Sequence, residues 1–437
     1  MLTLKPQRSP AWWVAAVAIT VVVVVLSTLL SNVRRDKTPF DIYDEGAHYD
    51  YVVQLENHHV PAFGDPATQS ALLDADCIGS DVSKPRDCSI HPRDYHQYPA
   101  GGYSYEAQQP PLAYLPYTLT THTDQPPATA IVEAREGGVI WTAIAAVLLL
   151  LFAGFAGLPL LALTLLLATC LLNPTHVHAA ATINNDASAA AAGALALLVA
   201  TLTRDRGKLW LRIAAGLLTG VVIGLLKGLF VLVPFALLIA LLVSERPWRE
   251  RLEGWRRCTF RNASVVAMLA GSGAAFVGWF LFQSARATVR PSVILNLLLG
   301  ASKTNHPRPT AMFDGLQAVT SIFDPSTPSS FHAIWNLAFF AVVAGVLLVK
   351  PLNGALSGAR ALAAGALVAL IALAVGWPLL VFVQGHFDYA ASGRYALPLV
   401  PILALVVVRA AGRYGLLLLG VGFPLVATIL QLKTGRY

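Results

Sequence analysis

The stretch AWWVAAVAITVVVVVLSTLLSN, residues 11–32, contains no charged side chain. A helix rises 1.5 Å per residue, so roughly 20 apolar residues cross the hydrocarbon core of a bilayer. The apolar run is too long for the core of a cleaved leader and no small-residue cleavage site follows it, so it reads as a retained membrane helix. Ten further runs have the same character, at 139–157, 158–173, 185–203, 209–226, 228–244, 263–283, 333–349, 362–384, 394–410 and 414–431. None shows the two-residue alternation of a membrane barrel, and lipid leaves closed barrels and helices as the only spanning structures. The expected fold is therefore an all-α polytopic membrane protein with about eleven transmembrane helices. The composition agrees: 56% of the 437 residues are hydrophobic and 13% charged, and the mean hydropathy is +0.60. Such a chain cannot bury its apolar surface as a soluble domain.

Arginine and lysine set the expected orientation. Basic clusters at 204–208, 246–257, 350–360 and 409–413 are short connections between runs, which places them in the cytoplasm together with Lys5 and Arg8. Five segments follow: a tail and first helix at 1–32, an outer loop at 33–138, helices two to seven at 139–283, a second outer segment at 284–332, and helices eight to eleven at 333–437. The net charge of +7 is then mostly topology, with membrane lipid headgroups as its partner and nothing that points to nucleic acid. There is no Walker loop, dinucleotide fingerprint or His-Glu-x-x-His.

The outer loop carries the chemistry. Ile42-Tyr43-Asp44-Glu45-Gly46-Ala47-His48 sets two carboxylates beside a histidine one helical turn on, an acid/base arrangement held near a bilayer surface. Ala47, Tyr51 and Leu55 share one face of a short helix at 44–57, on which Asp44 and His48 fall together and Glu45 points about a quarter-turn away. Asp44 can serve as catalytic base or as the cap of that helix. The loop is rich in tyrosines, which stack on sugar rings or settle at interfaces. Cys77 and Cys88 enclose a short polar segment on the side where disulfides persist, so a bridge is expected there.

The Asp44-Glu45 pair after the first span, followed by Glu106-Ala107-Gln108-Gln109-Pro110-Pro111-Leu112-Ala113-Tyr114, resembles the GT-C superfamily, membrane glycosyltransferases that use polyprenyl-phosphate sugars. Thr182-Ile183-Asn184-Asn185-Asp186 and Ser392-Gly393-Arg394-Tyr395-Ala396-Leu397-Pro398 resemble segments of a bacterial branch long described only as predicted membrane proteins. The resemblance runs from about 41 to 400. It implies a GT-C-like bundle in a bacterial plasma membrane, a polyprenyl-phosphate-linked sugar donor, and a glycan or glycolipid acceptor of the cell envelope. It also implies that an acidic residue of the first outer loop deprotonates the acceptor hydroxyl: Asp44 matches that position, Glu45 comes second, and His48 is nearby. Glu106, Gln108 and Gln109 would belong to the substrate pocket. Asn185 and Asp186 would line the acceptor pocket or fix helix packing. A departing lipid phosphate needs cations, for which Arg394 and Lys227, with Tyr395 beside them, are the candidates. The alternatives for Arg394 and Lys227 are headgroup snorkelling and interfacial anchoring. Some relatives bind a divalent cation (Mg or Mn), but no ligand spacing marks one here, so no metal residues are assigned. A transporter or flippase of lipid-linked saccharides is the rival class, and a glycan polymerase or ligase shares the same outer-face chemistry. Charge-poor spans and one long acidic outer loop favour the transferase over the transporter.

Overall fold

The computed structural model describes residues 8–35, 40, 44–79, 99–204, 207–245, 251–290, 354–385 and 391–410, with isolated positions between 293 and 347. Fifteen α-helices are described: α1 (Pro10–Arg35), α2 (Glu45–Glu56), α3 (Gln69–Ile78), α4 (Leu115–Thr118), α5 (Pro127–Ala134), α6 (Gly137–Phe155), α7 (Leu160–Leu171), α8 (Pro174–Ala181), α9 (Ala189–Thr203), α10 (Leu209–Leu226), α11 (Leu232–Glu245), α12 (Arg251–Arg261), α13 (Ala263–Arg286), α14 (Gly354–Gly385) and α15 (Val400–Ala410). Among the described residues, extended pairing is limited to one isolated bridge between Pro66 and Tyr103. Among the described residues seven helices are long and apolar enough to cross a membrane, giving an all-helical chain with the character of a multi-pass membrane protein.

Four of the eleven expected runs are not among these seven, for identifiable reasons. The run at 158–173 is α7 alone, and α7 with α8 makes an eighth candidate only as a pair bent by 55°. Asn173 and Pro174 sit at the bend, where proline can begin a helix but not continue one. The run at 394–410 opens as a 3₁₀ segment, Gly393–Leu399, and becomes α15 only at Val400. The run at 139–157 extends back through α5 to Pro127, so part of the expected outer loop belongs to a span. The runs at 333–349 and 414–431 lie outside the described residues, apart from scattered helical positions in the first.

Helix direction can be read from the contacts at the two ends. Lys227, between α10 and α11, meets Asn185 and Asp186 just before α9. At the far ends of those helices, Arg204 pairs with Glu245 at 3.0 Å. Between α10 and α13 the packing is close and parallel. A Cβ on Gly216, Gly220 or Gly224 would come within 2.6 Å or less of the backbone oxygen of Ser264, Met268 or Ser272 respectively. Lipid tails are as apolar as leucine and drive no hydrophobic association between helices, so backbone approach at small residues supplies the contact. This pairing brings the C-terminal ends of α10 and α13 to the same end of the bundle, beneath α2 and the 3₁₀ segments at 105–108 and 111–114. There Trp279 donates to the Gln108 carbonyl at 2.9 Å and Gln283 to that of Pro61 at 3.1 Å.

Candidate functional site

Asp44 is the N-cap residue of α2, yet its side chain does not cap. Its backbone is left-handed (φ 70°, ψ 7°) and it makes no side-chain cap hydrogen bond. That conformation costs an L-residue about 1–2 kcal/mol, although Asp tolerates it better than most. The carboxylate is turned away from the helix: Oδ1 accepts from the Tyr105 hydroxyl at 2.9 Å, and Oδ2 lies 3.3 Å from Arg394, 350 residues away in sequence. At 39% exposure it is the open acid of the site.

From Arg394 the site continues inward. Its Nε is 3.6 Å from Asp186 Oδ2, and Lys227 Nζ contacts Asp186 Oδ1 at 2.6 Å and Asn185 Oδ1 at 2.8 Å. Lys227 can reach both because its own backbone is extended (φ −162°, ψ 133°), which ends α10 and aims the side chain across the bundle. Tyr395 floors the two cations, with its ring centroid 5.0 Å from Lys227 Nζ and 5.5 Å from Arg394 Cζ, a cation–π arrangement. Trp377 of α14 holds that ring edge-on.

A second layer adjoins this one. Asn185 Nδ2 faces the Tyr114 hydroxyl at 3.3 Å, the hydroxyl meets His48 Nδ1 at 2.7 Å, and Glu106 Oε2 is 3.7 Å from the same nitrogen. Burial, and next the charge of Asp44, push the Glu106 carboxyl up to about 8, with Lys227 and Arg394 acting in the opposite direction. Burial and Asp44 also raise the Tyr105 hydroxyl, so it remains a donor to that carboxylate.

Of the residues selected from sequence, Asp44, Arg394, Lys227, Tyr395, Asn185 and Asp186 share direct contacts, and His48 and Glu106 join them through Tyr114. Glu45 does not. It accepts from Arg135 through both carboxylate oxygens, at 2.7 and 2.8 Å, and from the Ile183 N–H at 2.9 Å, with both side chains 1% exposed. This closed pair leaves Glu45 a structural role. Gln108 and Gln109 enter through backbone carbonyls, which accept from Trp279 and Tyr51. Cys77 is disulfide-bonded, and Cys88 lies outside the described residues. Sequence reading passed over Arg135, although a cation bordering an apolar run demands a partner. Tyr105 and Tyr114 were visible only as two tyrosines among many.

Among the described residues no three His, Cys, Asp or Glu side chains converge, and Asp44 and Asp186 hold a guanidinium between them, where a metal ion would be repelled. Comparison with family models, with curated proteins and with solved structures finds no match to this chain.

Proposed function

We propose that this chain is an integral membrane glycosyltransferase of GT-C type, moving a sugar from a polyprenyl-phosphate donor to a cell-envelope glycan or lipid-linked acceptor at the extracytoplasmic face. The observation that carries this reading is a partly exposed, non-capping carboxylate in a strained backbone, Asp44, paired with Arg394, which shares Asp186 with Lys227, so that cations from distant parts of the chain gather beside it. Strain of this kind persists where the surroundings over-determine it, and such places cluster at functional sites. The side assignment rests on the basic connections: Arg204, Lys208 and Arg261 belong to the end opposite Asp44.

In this reading Asp44 accepts the proton of the acceptor hydroxyl as its oxygen bonds to the anomeric carbon. The bond from that carbon to the phosphate oxygen breaks, and the electron pair leaves with the lipid phosphate. Arg394 offers that phosphate two donors and Lys227 a compact charge, each kept in place by Asp186. A positioned base contributes about a hundredfold or more in rate.

The test is transfer by purified protein in nanodiscs, with radiolabelled polyprenyl-phosphate sugars as donors and membrane lipid extracts as acceptors. Wild type should form labelled product, and Asp44→Asn should lose about a hundredfold or more while still binding donor. Undiminished transfer by the variant would remove Asp44 as base. Movement of labelled lipid across a liposome without product would replace the transferase reading with transport.

A further inference from the structure

Glu106 is a buried acid that the transfer step above does not use. Its side chain is 8% exposed, and among the described residues Oε2 finds no hydrogen-bond partner. A carboxylate in such a place needs donors or a counter-charge. His48 Nδ1, 3.7 Å away, is a candidate donor, but the local hydrogen-bond directions argue against it. Asn185 presents Oδ1 to the Lys227 ammonium, so its NH₂ faces Tyr114 and can only donate. The Tyr114 hydroxyl accepts that bond, and its single proton is left for His48 Nδ1 at 2.7 Å. With Nδ1 bare, Glu106 Oε2 meets a lone pair at 3.7 Å, so the ionised carboxylate has no donor there and a proton on Oε2 relieves the clash.

Counting charge shows what this arrangement does. The groups facing Glu106 are Asp44 and Asp186, Lys227 and Arg394, and the neutral Tyr51, Tyr105, Tyr114 and His48. Two anions and two cations cancel, so with Glu106 ionised an arriving lipid phosphodiester meets a site carrying one net negative charge. Asp44 is held by Tyr105 and Arg394, and Asp186 by Lys227. Glu106 is the acid with the least to lose by giving up its charge.

We propose that binding of a prenyl phosphodiester at Lys227 and Arg394 is coupled to proton uptake by Glu106, with His48 and Tyr114 as the positioning residues that keep Oε2 ready for the proton. This rests on the reading of Lys227 and Arg394 as the donor-phosphate site. One O–H bond forms, at Oε2, with the proton taken from solvent. The sign follows: the protonated site binds the anion better, so affinity is highest below about 8 and falls as pH rises through that value.

Isothermal titration with methyl farnesyl phosphate tests this, because a phosphodiester keeps one charge across the range used. Measured at pH 8 in Tris and in HEPES, whose ionisation enthalpies differ, the wild type should take up about 0.4 proton per lipid if binding raises Glu106 by about one unit. Affinity should weaken about fivefold from pH 7 to pH 9. In Glu106→Gln both effects should vanish while binding remains. Wild-type binding without uptake and without pH dependence overturns the proposal, whether or not the variant folds. Uptake that persists in Glu106→Gln overturns it too, assigning the proton to Lys227. Absence of any phosphodiester binding overturns the phosphate-site reading and this coupling with it.

Discussion

Asp44 and Glu45 are adjacent acids with opposite predicted responses to neutralisation. Glu45→Gln keeps the shape of the side chain but turns an amide NH₂ toward Arg135, replacing an acceptor 2.8 Å from the guanidinium with a donor. Arg135, a charge at 1% exposure, then loses the carboxylate of Glu45. Breaking a buried pair from one side costs about 3–5 kcal/mol, because the remaining ion cannot recover its hydration. For 437 residues the unfolding entropy is about 0.9 kcal/mol/K, so the melting temperature should fall by roughly 3–5 °C. Asp44→Asn is different. Asparagine accepts the left-handed backbone and can still accept from Tyr105. The ion pair it gives up is partly exposed, of a kind worth about 0–1 kcal/mol, or about 1 °C here. Thermal melts of the two purified variants in one detergent would decide the matter, with transfer measured alongside. Equal melting losses, or an unchanged melt for Glu45→Gln, would refute the division of labour between the two acids.

The α10–α13 pair gives a packing prediction. Gly220→Leu should collapse the yield of monodisperse protein on size exclusion, since even a Cβ there would sit 2.1 Å from Met268 O. Gly273→Ala, which meets nothing within 4 Å, should be silent, and equal behaviour of the two variants would discount the contact. Arg394→Lys should weaken binding of methyl farnesyl phosphate about tenfold, the loss expected when a forked donor becomes a point charge. Unchanged affinity would reduce Arg394 to a strut between Asp44 and Asp186.

Hydropathy exposed the helices because lipid imposes apolar length directly on the sequence. It does not reveal where a backbone break falls inside an apolar run, as at the bend at Asn173 and the 3₁₀ opening at Gly393, since apolarity does not encode curvature. The polar cluster was legible in part. Lys227 announced itself as a cation between two apolar runs, and Asp186 was noticed at a helix end, but their 2.6 Å contact depends on α9 and α10 lying together. Helical phase separated Asp44 from Glu45 without saying which faced the site. The fact that settled their orientation, a left-handed residue immediately before the helix, has no signature in the residue types alone. Tyr105 and Tyr114 were hidden for another reason: with so many tyrosines in one loop, only distance distinguishes a hydrogen-bonding hydroxyl from an interfacial one.

In the proposed mechanism Glu45 is not a reacting group, yet its contacts bear on the spacing of those that are. Its Oε1 accepts the N–H of Ile183, three residues before Asp186, and Asp44 directly precedes it in the chain. Tyr117 strengthens the same junction, donating to the Asn184 carbonyl at 2.8 Å. The buried Glu45–Arg135 pair therefore joins the start of α2 to the segment that carries Asn185 and Asp186, and the span between Asp44 and Asp186 is the width that Arg394 bridges. A shift of either segment by about 1 Å would open one of those contacts, and misplacement on that scale costs about a hundredfold in a positioned reaction. Loss of Glu45 should therefore depress transfer through geometry as well as stability, with a defect that survives at temperatures where the variant remains folded.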